Sequence, residues 1–293
     1  MTSLRDHHSN TLVKLLYLGD SKAGKTTSLA CLADAGYHLR ILDFDNLLDV
    51  FASRVRDLYP DKLDNVEFRT IRDKYKANQF GTVIDGKPKA WVESLKMLDH
   101  WTYTEHDTGE VIDYGVPATW GDNCILVIDS LSRWCDAAFD FHEVTTPVTR
   151  SGERNYQVIY GNAQDNVEKA LAMLTSASFA TNVIVICHGM LQVQKDGAQK
   201  IFPQGVGQAL SPKIPQYFPN FVRILHKGDK RVIQLESDSM IDLATTRPGV
   251  LNTPLPAEDG LATIFARLRD QPANPAAAEP AGKPKSVTLM RRA

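Results

Sequence analysis

Residues 11–36 read TLVKLLYLGDSKAGKTTSLACLADAG, and this stretch decides the fold. Residues 12–18 are an apolar run of strand length, residues 19–24 a polar segment bounded by glycines, and residues 25–36 carry apolar groups at helical spacing. Within it, Gly19-Asp20-Ser21-Lys22-Ala23-Gly24-Lys25-Thr26 fits G-x-x-x-x-G-K-[ST] in the strand–loop–helix setting that the pattern requires. The glycines let successive backbone N–H groups curl round an anion, and the helix that begins near Lys25 points its positive end at the same place. The expected ligand is a phosphate chain.

Working outward, ILDFDNLLD (41–49) closes a second short strand on acidic residues, CILVIDSLSRW (124–134) holds a third strand that ends at Asp129, and NVIVICHG (182–189) is a fourth. Residues 162–178 read as a helix, as do 89–103, where Trp91, Leu95, Leu98 and Trp101 recur at helical spacing. FVRILHK (221–227) and RVIQLES (231–237) form a late β-hairpin around Gly228 and Asp229. Apolar strands alternating with helices predict an α/β fold, a mostly parallel twisted sheet with helices on both faces. Residues 1–10 are expected to be a flexible N-terminus and 11–250 the core, with 51–121 as an insertion or helical layer. Residues 251–270 should carry a C-terminal helix, over 257–270, and the Ala/Pro-rich 271–293 a disordered tail.

Composition narrows the function. At 293 residues the chain can bury one good core. No apolar run approaches the roughly 18 residues of a membrane span. A net charge of −2 excludes coating of nucleic acid through bulk basicity, so any such contact must come from local loops or many subunits acting together. Cys31, Cys124, Cys135 and Cys187 form no C-x-x-C pair, which fits free thiols in a reducing cytoplasm.

The motif predicts ATP and Mg²⁺ as ligands, with Gly19, Asp20, Ser21, Lys22, Ala23, Gly24, Lys25, Thr26 and Thr27 around the nucleotide. Lys25 is expected at the β and γ oxygens and the Thr26 hydroxyl at the metal. Asp129, at a strand end, suits the carboxylate that supports Mg²⁺ through water. Either Asp43 or Asp45 can orient the attacking water, or both can cap the segment that follows. His188 either senses the γ-phosphate or is a hydrogen-bonded histidine at a strand end.

Taken together, GDSKAGKTT, ILDFDNLLD, ILVIDSLSRW and NVIVICHG resemble the RecA-like P-loop ATPase core over residues 11–237. That group contains recombinases, ring helicases and small phage recombination and single-strand annealing ATPases. The resemblance implies that Asp45 stands where the family has a catalytic Glu. Asp is one methylene shorter, so hydrolysis should be slow, since a misplacement of about 1 Å can cost on the order of 10²-fold. It further implies single-stranded DNA as partner, through loops at 142–157 (Arg150, Arg154) and 190–208 (Lys195, Lys200, Phe202). A homo-oligomer is implied as well, with Lys227, Lys230 or Arg231 completing a neighbour's site, and a single-strand-binding protein as a further partner. The readings in competition are a partition- or carrier-type nucleotide switch, a non-hydrolysing scaffold and a kinase. Against the first, Asp20 stands where that class has its signature lysine; against the last, there is no Arg-rich lid.

Overall fold

The computed structural model describes residues 12–269 apart from 80, 106–107, 196, 248 and 250–253. The flexible arm expected at 1–10 and the tail expected at 271–293 lie outside the described residues.

Eight strands make the main sheet: β1 (Lys14–Gly19), β2 (His38–Asp43), β3 (Val66–Thr70), β4 (Gly121–Asp129), β5 (Thr181–Cys187), β6 (Asn220–Lys227), β7 (Lys230–Gln234) and β8 (Leu255–Pro256). Their order is β8-β7-β6-β1-β5-β4-β2-β3. All neighbours from β6 to β3 are parallel, and β7 and β8 add antiparallel strands at one edge. The helices are α1 (Lys25–Ser28), α2 (Ala30–Asp34), α3 (Asp49–Leu58), α4 (Ala90–Asp99), α5 (Leu131–Thr145), α6 (Tyr156–Thr175), α7 (Gly207–Leu210) and α8 (Gly260–Arg269).

Central strands must be apolar on both faces because both are covered. Along β1, Leu16 and Leu18 face the layer of α4, α5 and α6, while Leu15 and Tyr17 face α2, α3 and α8. Strand β4 divides in the same way, Leu126 and Ile128 to the first core, Ile125 and Val127 to the second. Strands β1, β2, β4 and β5 therefore end where their apolar runs end. The polar residues Gly19, Asp43, Asp129 and His188 come out at one edge of the sheet, because β1, β2, β4 and β5 run the same way.

Segment 51–121 contributes α3, edge strand β3, α4 and two small hairpins, Tyr75–Asn78 with Gly81–Ile84 and Trp101–Thr104 with Val111–Gly115. It is tied to the core through tryptophans. The Trp134 indole donates to Ser94 Oγ at 2.7 Å, and the Trp91 and Trp134 rings lie 5.1 Å apart.

Several boundaries differ from the sequence expectation. The helix predicted over 89–103 stops at Asp99, because the chain turns extended at His100 and Trp101 enters the core from a strand. The helix predicted from 162 starts earlier, at Tyr156, where the Asn155 side chain accepts from the N–H of Val158 and caps it. The last helix begins at Gly260 rather than 257, since Leu255–Pro256 pairs with β7 first.

Gly19 is the point where β1 hands over to the loop. A Cβ there would sit 2.5 Å from Ile224 Cγ2 and 3.0 Å from the Ile224 carbonyl oxygen. Gly19→Ala should therefore push β1 away from β6 and destabilise the protein by about 1–3 kcal/mol, measured by urea unfolding. An unchanged midpoint would show that this close approach is not a constraint.

Candidate functional site

The loop from Asp20 to Gly24 is folded tightly: the Ala23 N–H donates to the Asp20 carbonyl, and Lys22 (φ 63°) and Gly24 (φ 93°) both have positive φ. Gly24 adopts this at no steric cost. Helix α1 begins at Lys25, and the N–H groups of a first helical turn have no intrahelical partners.

Lys25 is buried, and its ammonium donates to the carbonyls of Gly19 (2.9 Å) and Asp20 (2.8 Å). It also lies 3.3 Å from His188 Nδ1. Burial lowers its pKa, opposed by Asp129, Cys187, Asp45 and Asp20. The Thr26 hydroxyl donates to Asp129 Oδ2 at 2.5 Å. Asp129 is buried at the end of β4, and its peptide bond to Ser130 is cis. Burial raises its carboxyl pKa to about 7, with Asp45 and Asp43 adding to the rise and Thr26 and Lys25 opposing it.

Asp43 and Asp45, which the sequence left undivided, separate here. Asp43 is consumed locally: Oδ1 accepts from the N–H groups of Asp45 and Asn46, and Oδ2 from the Thr70 hydroxyl. Asp45 turns towards the loop. It accepts from the Ser130 hydroxyl at 3.1 Å and faces His188 Nε2 at 3.8 Å and Arg133 Nε at 3.9 Å. Burial works against its ionisation, yet His188, Ser130 and Arg133 outweigh it and hold the carboxyl below its ordinary pKa. His188 bridges the two sides. The Lys25 ammonium can only donate, so Nδ1 must accept, and the ring proton then sits on Nε2, directed at Asp45. Thr70 and Arg133 carry no sequence signal of their own, although Arg133 lies in the first turn of the helix that follows Asp129.

Hard oxygen donors and surplus negative charge suit Mg²⁺. Asp129 and Thr26 converge within 2.5 Å, and nearby carboxylates make the buried charge unfavourable without a cation. Among the described residues no three His, Cys, Asp or Glu side chains form a closed metal cage.

The outlying residues fare differently. Segment 190–208, expected as a loop, is largely a hairpin, Gly189–Val193 with Gln199–Pro203, because Leu191 pairs with Ile201 and Val193 with Gln199 across it. Lys200 is ion-paired with Asp242 at 2.9 Å and Phe202 is half-buried, whereas Lys195 is exposed at the tip. In segment 142–157, α5 runs on to Thr145; Arg154 pairs with Glu143 and Arg150 is exposed. Lys227 and Lys230 are exposed opposite one another on the β6–β7 hairpin. Arg231, one of the three cations that could complete a neighbour's site, lies against Gly24 of its own chain.

A family model described as an AAA domain matches residues 11–243, which takes in every site residue named above. No curated protein matches the chain.

The raised Asp129 pKa has a definite sign. The native state keeps this proton up to about pH 7, while the unfolded chain loses it in the ordinary carboxylate range. Between those values the native state binds more protons, so this group's contribution to stability falls as pH rises. Asp129→Asn removes that loss. Its nucleotide-free form should melt higher at pH 8 than the unmutated protein, by about 2–4 °C for each kcal/mol relieved, and lose stabilisation by Mg²⁺. In the unmutated protein, Mg²⁺ affinity should weaken below about pH 7, approaching tenfold per pH unit as protons compete. Scanning calorimetry with and without Mg²⁺ checks both. A lower melting temperature for the variant, with Mg²⁺ binding retained, would remove Asp129 from this role.

Proposed function

The chain belongs to the AAA domain family, and on that premise we propose that it is a Mg²⁺-dependent ATPase working from the site around Lys25. The observation that carries the reading is the meeting of Lys25, Thr26, Asp129, Asp45 and His188 at one sheet edge, beside a glycine-hinged loop.

The roles follow from the chemistry. Backbone N–H groups of the loop and the Lys25 ammonium bind the phosphates, and the charge on Lys25 offsets charge that develops on the γ-phosphoryl group. The carbonyls of Gly19 and Asp20 hold Lys25 in place, which leaves little reorganisation for the reaction. Thr26 and Asp129 would hold Mg²⁺, which would supply positive charge to offset that of the phosphates. Asp45 orients the attacking water. Its low pKa makes it a poor final proton acceptor, so it works by polarising and aligning the water rather than by keeping its proton. His188 couples the phosphate side, through Lys25, to the water side, through Asp45.

The finer reading, action on single-stranded DNA in recombination or annealing by a homo-oligomer, draws its support from a smaller set of residues. Arg150 and Lys195 are exposed cations, and Tyr156, Leu191 and Val193 are exposed apolar groups near them in sequence. Helix α6, which follows the first segment, is tied to the second, since Gln164 donates to the Val206 carbonyl. Cations for phosphates beside apolar surface for bases is the composition that single-strand binding uses. A nucleotide switch of the partition or carrier type is the alternative if DNA neither binds nor stimulates.

Lys25→Ala should lower turnover by roughly 10²–10³. Asp45→Asn should keep nucleotide binding while turnover falls, and Asp43→Asn should cost stability instead, because Asp43 satisfies local donors. Steady-state phosphate release with calorimetric binding separates the three, and full turnover in Asp45→Asn would reassign the water-positioning role. For DNA, replacing Arg150 and Lys195 together by Ala should reduce the slope of log K against log salt by about 0.7 for each DNA phosphate no longer neutralised. An unchanged slope in fluorescence-anisotropy titrations would exclude these two residues.

A further inference from the structure

Arg231 reaches the phosphate loop from a strand outside it. It lies on β7, which pairs antiparallel with β6, and β6 is hydrogen-bonded along β1 up to the start of the loop. Its carbonyl accepts from the Ala257 N–H at 3.0 Å, which fixes its backbone against the segment leading into α8. Alternation along β7 puts Arg231 on the same face as Ile233, which is buried with α2 and α8. Lys230 takes the opposite face, with Lys227 directly across from it. Of the three cations on this hairpin, alternation therefore places only Arg231 on the face shared by Ile224 and Ile233, where it lies beside Gly24.

The approach is close. A Cβ placed on Gly24 would meet Arg231 Nη1 at 3.1 Å, Cδ at 3.2 Å and Cζ at 3.5 Å. Gly24 thus serves two needs, a positive φ and clearance for a guanidinium. Other arginines bordering the site face carboxylates: Arg133 faces Asp136 and Asp45, and Arg223 faces Asp20. Arg231 is exposed and, among the described residues, makes no ion pair or side-chain hydrogen bond. A guanidinium presents paired N–H donors that match phosphate oxygens, and here its donors are free beside a loop built to hold phosphate.

We propose that Arg231 binds the phosphate chain of the nucleotide held by its own subunit, bracketing it with Lys25 from the other side of the loop. The β6–β7 hairpin is then part of the nucleotide site in cis, and phosphate binding does not need a neighbour's cation from this hairpin. This inference rests on the ATPase reading above and deepens it.

The experiment compares unmutated protein, Arg231→Ala and Arg231→Lys by calorimetric titration with ADP and with a non-hydrolysable ATP analogue, each in Mg²⁺. Thermal melts establish that the variants are folded. Arg231→Ala should weaken binding of the triphosphate analogue by roughly 10- to 100-fold. Arg231→Lys, which keeps the charge but loses the paired donors, should recover part of it. A mixing experiment then separates cis from trans. Lys25→Ala chains retain their own Arg231, so adding them to Arg231→Ala chains would restore turnover if Arg231 served a neighbour, and should restore none if it acts in cis. Unweakened analogue binding by folded Arg231→Ala, or restored turnover on mixing, overturns the proposal. Failure of the unmutated protein to bind either nucleotide would instead overturn the ATPase reading itself.

Discussion

Asp129 keeps its carboxyl group buried at the end of β4, 2.5 Å from the Thr26 hydroxyl, with Asp45 and Asp43 close enough to make its charge costly. Lys25, itself partly desolvated, is a positive charge that opposes this rise. Buried charge of this kind persists only if something compensates it. Much of the neighbourhood can be understood from that constraint. Asp43 is quieted by two N–H donors and the Thr70 hydroxyl. Asp45 is held by Ser130, His188 and Arg133. Lys25 is pinned by two carbonyls. Such an arrangement is poorly neutralised by itself and well matched to a divalent cation bound with phosphate.

The fold supplies the geometry. Parallel strands whose apolar runs end together deliver Gly19, Asp43, Asp129 and His188 to one edge, and strand β5 sets His188 between the phosphate loop and the acidic side. Because these residues sit on or just beyond buried strands, their backbones are held by the packing of two separate cores. The hairpin edge, β6 and β7, brings an exposed cation to the loop from outside that framework.

The phosphate loop, the central strands and Asp129 were legible in the sequence because each rests on a strong local signal: glycine spacing, an unbroken apolar run, a polar residue that ends it. Residue chemistry alone leaves Asp43 and Asp45 alike and only the family resemblance favours Asp45, because the partners that distinguish them, Thr70 and Ser130, are distant in sequence. Segment 51–121 was opaque for another reason. Its small hairpins are mostly exposed and bury no continuous face, so they leave no periodic pattern. The Trp91-to-Trp101 spacing misled because the last tryptophan reaches the core from a strand instead of a helix. Lys200 and Phe202 are expected as nucleic-acid contacts through the family resemblance; Lys200 is ion-paired with Asp242 and Phe202 is half-buried, engagements that lie outside any local sequence signal. Cis and trans roles for Arg231 could not be separated from sequence, because both place a cation after β6.

Lys25, Thr26, Asp129, Asp45 and His188 meet within one chain, and this site should bind nucleotide together with a divalent cation. The most direct measurement is a calorimetric titration of the purified chain with ATP, in Mg²⁺ and again in excess chelator, at protein concentrations spanning any assembly. The account predicts one nucleotide per chain, affinity that falls sharply without the cation, and a cation-dependent site in monomer and oligomer alike. Binding that ignores Mg²⁺, or half-occupancy that appears only on assembly, would contradict it.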